Sequence, residues 1–212
     1  MTNIRVMLVD DHAVVRMGFC LLLKSTDDID VVAEAGSGEE ACHLYPDVKP
    51  DVVVMDISMP GIGGFDALTR ILAKDAGARI LVLSAHEDTI HPSRVLHAGA
   101  LGYLTKRSAP EELIGAIRQV ANGKSFVEAA IAQQMVVKRA IGRQSPIELL
   151  TAREFKVFLA LAQGRSVSEI ADTLSLSPST IGTHLYNIKH KLGAANSAEL
   201  ALIAIRNGLI EP

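Results

Sequence analysis

An apolar run that ends in a carboxylate and is then broken by Pro-Gly constrains this chain most. Asp51-Val52-Val53-Val54-Met55 closes on Asp56, and Ile57-Ser58-Met59-Pro60-Gly61 follows. An apolar run without alternation reads as a strand buried on both faces, and the breaker ends it at the acid. Three further segments behave alike. Ile4-Arg5-Val6-Met7-Leu8-Val9 ends in Asp10-Asp11, Arg79-Ile80-Leu81-Val82-Leu83 ends in Ser84, and Ala100 to Thr105 ends in Lys106. With a strand near 30–35, five strands alternate with helical patterns near 12–25, 38–46, 64–75, 92–98 and 110–122. Parallel strands need helical crossovers, so the expected fold is an α/β doubly wound five-stranded parallel sheet. In such a sheet ligands sit at the carboxyl ends of the strands. Three acids, a hydroxyl and an ammonium collected there describe a metal-assisted phosphoryl-transfer site with an aspartate nucleophile.

Beyond residue 123 the alternation stops. Glu128 to Arg139 could form a short helix, and Gly142 to Pro146 reads as a linker. After Pro146 the pattern is all helix, with starts at Thr151-Ala152-Arg153-Glu154, Ser166-Val167-Ser168-Glu169, Ser177-Pro178 and Asn196-Ser197-Ala198-Glu199. Ser37 to Glu40 and Ser108 to Glu111 read as Ser-x-x-Glu helix starts in the first part. The expected division is therefore a domain over 1–124, a partly helical linker over 125–146, and a small four-helix domain over 147–212. Charge follows it: residues 1–124 carry 17 acidic and 12 basic side chains, whereas 147–212 carry 6 of each. An acidic first domain suits a cation, while the neutral second is unusual for a nucleic-acid binder.

No apolar run reaches the ~18 residues of a membrane span. The start, Met1-Thr2-Asn3-Ile4, has no basic region or cleavage site of a secretory leader. A cytoplasmic chain with no membrane partner is expected. Cys20 and Cys42 lie within apolar helical patterns and read as buried thiols of a reducing compartment.

Neighbouring first and third strands would set Asp10, Asp11 and Asp56 side by side, where they repel unless a cation neutralises them. Mg²⁺ fits, with its preference for hard oxygen ligands and for bridging to phosphoryl oxygen. Lys106 would balance charge on the transferred group, and Ser84 would donate a hydrogen bond to it. Leu8-Val9-Asp10-Asp11-His12, Met55 to Gly61, Leu83-Ser84-Ala85 and Gly99 to Lys106 resemble the four signature segments of receiver domains, the flavodoxin-like input domains of two-component response regulators. The resemblance implies that Asp56 accepts a phosphoryl group from a histidine kinase. It implies Mg²⁺ held by Asp11, Asp56 and the backbone carbonyl of Ser58, assisted by Asp10. Ser84 and Tyr103 match the hydroxyl and aromatic switch positions. Arg107 stands where many receivers have Pro, and His91-Pro92 fall where related chains continue their fourth helix.

In the helical part, segments 166–175 and 178–192 are joined by Leu176-Ser177, a spacing that suits a helix-turn-helix. Ile181, Leu185, Ile188 and Leu192 form one apolar stripe at ~100° per residue. The polar remainder supplies Ser179, Thr180, Thr183, Tyr186, Asn187 and His190 as DNA-contacting candidates, flanked by Lys189 and Lys191. Leu150 to Glu154, Ile170 to Leu174, Ser177 to Ile181 and Asn187 to Leu192 resemble the LuxR-type output domain, and receiver plus this domain is the NarL/FixJ architecture. Gly182 stands where that family commonly has Lys, Val167-Ser168 replace a polar-basic pair, and 195–198 lack an Arg. The resemblance implies a DNA-binding transcriptional regulator, not an enzyme, that dimerises when phosphorylated and reads promoter half-sites. The alternative is a phosphorylated interaction protein whose helical domain binds a protein partner rather than DNA. A phosphatase of the haloacid dehalogenase type would want its nucleophile on the first strand and an Asp where Ser58 stands.

Overall fold

Strands and helices alternate as β1 (Ile4–Val9), α1 (Ala13–Lys24), β2 (Ile29–Ala35), α2 (Gly38–Val48), β3 (Val52–Asp56), α3 (Gly63–Lys74), β4 (Ile80–Ser84), α4 (Ile90–His97), β5 (Gly102–Thr105) and α5 (Pro110–Ala121). The computed structural model describes residues 3–85, 90–108, 110–140, 146–174 and 176–210, with backbone alone at 138–140 and 152. Residues 141–145 of the expected linker, Ala109 of the expected fifth-helix start and Ser175 of the expected 166–175 helix lie outside the described residues.

All strand pairs are parallel, in the order β2-β1-β3-β4-β5 followed by a short edge strand over Phe126–Val127. The expectation of five strands is corrected by β6 (Phe126–Val127), which pairs with Gly102 and Tyr103 of β5. The Phe126 amide donates to the Leu101 carbonyl at 2.9 Å, and the Glu128 amide to that of Tyr103 at 3.1 Å. The next helix, α6 (Ala129–Ala140), turns Ile131 into the core beside Tyr103, with Val127 and Met135 packed around it. Burial of these apolar side chains draws 126–135 into the first unit. The chain divides into Met1–Met135 and Val136–Pro212, so the expected linker over 125–146 begins inside the sheet.

Both faces of the sheet are covered, which explains why β3 and β4 are buried at every position. One face sets Met7, Val9, Val53 and Met55 against α2, α3 and α6; the other sets Val6, Leu8, Val54 and Leu81 against α1 and α5. Helix α2 runs through Pro46 and ends on Lys49 at φ 45°, and the Arg5 guanidinium takes the freed carbonyls of Val48 and Lys49 at 2.7 and 2.8 Å. Gly64 lets α3 lie against the end of β3. A Cβ there would fall on the Asp56 carbonyl oxygen and within 2.7 Å of Ile57 Cα.

The second unit holds a 3₁₀ turn (Pro146–Leu149) and the four expected helices, α7 (Ala152–Ala162), α8 (Val167–Leu174), α9 (Pro178–Leu192) and α10 (Ser197–Arg206). Ile147, Val157, Phe158, Ile181, Ile188, Leu200 and Ala204 form its fully buried centre. The capping box at Thr151–Glu154 is complete, and its Glu154 carboxylate also accepts from Lys191 Nζ at 2.6 Å. Lys191 therefore turns inward to a buried carboxylate rather than flanking the polar face of α9, which corrects its expected position. The helical repeat places a residue on a cylinder, but a buried charge across the bundle decides where a long side chain ends.

Burial pushes the Glu154 carboxyl up, but Lys191 and the Thr151 amide outweigh it and hold the group below its ordinary 4.5. A lowered folded-state value stabilises the unit above the unfolded pKa, and that contribution is lost as pH falls through the lowered one. Lys191→Met should cost the helical unit about 2–3 kcal/mol, because Glu154 keeps its charge without a cation. Urea unfolding of the full chain at pH 7 reads this loss. Repeating it toward pH 4 should narrow the gap between variant and wild type.

Candidate functional site

The carboxyl ends of β1, β3, β4 and β5 bring four of the expected groups together. Asp10 follows β1, Asp56 ends β3, Ser84 ends β4, and Lys106 follows β5. Register sets them level: Val9 faces Met55, Asp56 faces Leu83, and Ser84 faces Thr105. The Lys106 amide donates to the Ser84 carbonyl at 2.8 Å, continuing the ladder one residue past β5.

Lys106 Nζ lies 2.6 Å from Asp10 Oδ2 and 2.7 Å from Asp56 Oδ2. Both carboxylates are buried, at 4% and 2% exposure, and a buried charge needs a paired partner. Burial disfavours the ammonium, but hydrogen bonds to Asp10 and Asp56 win, and Lys106 is held above the usual lysine range. The remaining oxygens take backbone amides: Asp56 Oδ1 accepts from Ser58 N at 2.9 Å, and Asp10 Oδ1 from His12 N at 2.8 Å. Ser58 thus wraps its own turn around the acid it follows. The Arg16 guanidinium bonds the Asp10 carbonyl at 2.5 Å and pairs with Glu34 at 3.1 Å, fixing the acidic turn from below.

Asp11 stands apart. Its Oδ1 is buried and has no hydrogen-bond partner among the described residues, although His12 Nδ1 lies 3.1 Å away without hydrogen-bond geometry. One ligand atom from each of Asp10, Asp11, His12 and Asp56 lies within 4.8 Å of the others. Three carboxylates against one ammonium leave a net charge of −2, and an orphaned carboxylate oxygen is costly unless a cation supplies the missing interaction. The donor set fits a hard divalent ion such as Mg²⁺, held by carboxylates, a carbonyl and water. His12 is the group in this cluster that the sequence reading did not place. Its position after two aspartates at a strand end was the available signal, but a neutral imidazole is a poor Mg²⁺ donor and drew no notice.

Ser84 and Tyr103 are both fully buried. Tyr103 lies on the face of β5 that packs with Val95 and Ile131. Arg94 of α4 places its guanidinium 5.3 Å from the Phe65 ring of α3, joining the two helices that flank this end of the sheet.

On the second unit, α8 and α9 are adjacent. Ile181 and Ile188 are buried, and Leu185 and Leu192 half-buried, as the stripe requires. Ser179, Thr180, Thr183, Tyr186 and His190 are exposed, Tyr186 at 71%, whereas Asn187 and Lys189 are half-buried at its margin. Thr180 shares its hydroxyl with the Ser177 cap at 2.8 Å, and the Thr183 hydroxyl donates to the Ser179 carbonyl at 3.2 Å. The Gly182 position faces open space. No described helix is long and apolar enough to cross a membrane.

Comparison with known proteins places both parts. Residues 6–118 match the model of the response regulator receiver domain, and residues 148–204 that of bacterial regulatory proteins of the luxR family. The chain is similar to the response regulator GacA of Pseudomonas aeruginosa, 40% identical over 210 residues and covering 98% of each. It is similar to the response regulator UvrY of Escherichia coli K12, 40% identical over 97% of this chain and 95% of the other. Among solved structures it resembles RcsB of Salmonella enterica bound to the promoter rprA in the presence of phosphomimetic BeF₃⁻. That likeness has a TM-score of 0.72 and 25% identity over 95% of this chain and 98% of the other.

The orphaned Asp11 oxygen yields a test. Mg²⁺ titrated into the wild type should shift the Asp11, His12 and Asp56 backbone amide resonances saturably, and Asp11→Ala should weaken binding at least tenfold. Equal affinity in the variant would remove Asp11 from the site.

Proposed function

The chain belongs to the NarL/FixJ family of two-component response regulators, and from that footing we propose how its own residues carry the activity of a DNA-binding transcriptional regulator. Asp56 is the phosphoacceptor, a cognate histidine kinase is the donor, and Mg²⁺ is held by Asp11, Asp56 and the Ser58 carbonyl with Asp10 assisting. The observation that supports this reading best is the contact of Lys106 with both Asp10 and Asp56 at the end of the sheet. In that arrangement Asp56 Oδ2 is occupied by the ammonium, so Lys106 must swing from the carboxylate to the incoming phosphoryl oxygens as transfer proceeds. The bound cation supplies charge neutralisation between nucleophile and phosphoryl group. Asp56 attacks phosphorus as the donor bond breaks, and Lys106 then pairs with the new anion. Phosphorylation replaces the single negative charge of the Asp56 carboxylate with a phosphoryl group carrying roughly −1.5 to −2 in a buried pocket. Ser84 donates a hydrogen bond to that charge, and Tyr103 responds to the displaced strand end.

The output is a phosphorylation-favoured homodimer whose two α9 helices read promoter half-sites, with Ser179, Thr180, Thr183, Tyr186, Asn187, Lys189 and His190 as contact residues. DNA and a signalling kinase as partners put the chain in the cytoplasm. With Lys191 committed to Glu154, the helical unit has little spare positive charge, so it should neutralise few phosphates and depend more on base contacts.

Asp56→Asn tests the acceptor. With acetyl phosphate and Mg²⁺ the wild type should gain the mass of one phosphoryl group and the variant none, while both keep the same far-ultraviolet circular dichroism. An equal gain would remove Asp56 from the role. For the output, Thr183→Ala, Tyr186→Ala and His190→Ala should leave α9 folded. A lost base contact should cost about 1–3 kcal/mol on specific duplex and little on random duplex. A shallow slope of affinity against salt is expected throughout. If all three bind specific DNA like wild type, this face of α9 does not enter the groove.

A further inference from the structure

Glu128 sits between β6 and α6 and reaches back to the turn that carries Lys106. Its Oε2 accepts from the Thr105 amide at 3.0 Å and from the Ser108 hydroxyl at 2.8 Å. Those two residues bracket Lys106, and their own hydroxyls lie 3.2 Å apart. The backbone of Glu128 is tied to the same strand, since its amide donates to the Tyr103 carbonyl. Its carbonyl accepts from Ala132, opening the first turn of α6. One turn on, Ile131 is buried in the cluster that contains Tyr103. A single residue therefore joins three things: the Lys106 turn, the Tyr103 strand and the start of the helix that runs on past Met135 into the second unit.

The chemistry of the contact is specific. One carboxylate oxygen takes two donors from one turn, an arrangement that holds the turn's shape as well as its distance. Burial pushes the Glu128 carboxyl up, but the Thr105 and Ser108 hydrogen bonds prevail and hold it below the usual glutamate range, so it is ionised at neutral pH.

We propose that Glu128 is the positioning residue that fixes the Lys106 turn and carries its displacement to α6. This rests on the assignment of Asp56 as phosphoacceptor and deepens it by naming the route out of the site. When Lys106 moves from the Asp10–Asp56 pair to a phosphoryl group, Thr105 and Ser108 move with it, and the Glu128 contact must re-form or break. Either outcome changes the first turn of α6.

Hydrogen–deuterium exchange of the full chain, with and without acetyl phosphate and Mg²⁺, tests this, with intact mass recording phosphorylation in each sample. Wild type should show a phosphorylation-dependent change in exchange over 126–135. Glu128→Gln keeps an oxygen acceptor and should retain that change. Glu128→Ala, compared with wild type at matched phosphoryl occupancy by intact mass, should lose at least half of it, and Ser108→Ala should reduce it. A helix end that simply frays would exchange faster in both states and leave the difference intact. An undiminished difference in Glu128→Ala overturns the proposal, as does a phosphorylated wild type with no change over 126–135. Should Glu128→Ala lose protection across β1 to β5, Ser108→Ala decides alone, and a wild-type difference there overturns the proposal. A wild type that gains no mass overturns the Asp56 assignment itself, and the coupling with it.

Discussion

The Lys106 ammonium between Asp10 and Asp56 is the contact around which the first unit is arranged. Two buried carboxylates at neighbouring strand ends would repel each other without it. Their placement needs β1 and β3 adjacent, which the crossover through β2 supplies, and Lys106 needs β5 two strands away with a side chain long enough to cross β4. The parallel ladder, the glycine at position 64 that lets α3 approach, and the Ser58 turn all serve to hold that geometry. The same contact occupies Asp56 Oδ2, so any group that binds there has to displace the ammonium, and a side chain with two such positions is a natural two-state element.

Opposite charge plays a different part in the second unit. Lys191 and Glu154 join α9 to the start of α7 and take one cation away from the polar face of α9. The pair stabilises the bundle and at the same time lowers the unit's electrostatic affinity for any polyanion. A domain with equal numbers of acidic and basic side chains must find its specificity in geometry and hydrogen bonding more than in charge.

Much of this was legible in the order of residues. The strands ending in Asp10, Asp56, Ser84 and Lys106 announce themselves because buried parallel strands are continuous apolar runs, and a polar residue at their end is conspicuous. Helix starts at Thr151 and Ser166 follow from short-range chemistry, since the Ser/Thr-x-x-Glu pattern satisfies its own amides. What escaped depends on partners distant in sequence. Phe126-Val127 is too short to carry a period, so its pairing with β5 is set by the strand already there. Lys191 looks solvent-facing on a helical wheel, and Glu154 across the bundle pulls it in. Glu128 reads as a helix-start acid, and its bonds to Thr105 and Ser108 exist because β6 brings it back to β5. The orphaned Asp11 oxygen is likewise invisible in sequence, where three aspartates have equal standing.

The sixth strand has a consequence for the solubility of the sheet. Without it β5 would be an outer strand only four residues long, presenting main-chain groups beside the apolar side chains of Tyr103 and Leu104. An open, apolar strand of that kind invites pairing with another molecule. The Phe126 and Glu128 amides occupy the outward carbonyls of Leu101 and Tyr103, and Ile131 of α6 packs into the cluster on the adjoining face. A first domain ended at Lys124 would lose both and leave that row of main-chain groups open. The residues that extend the sheet are thus also its guard against unwanted strand addition.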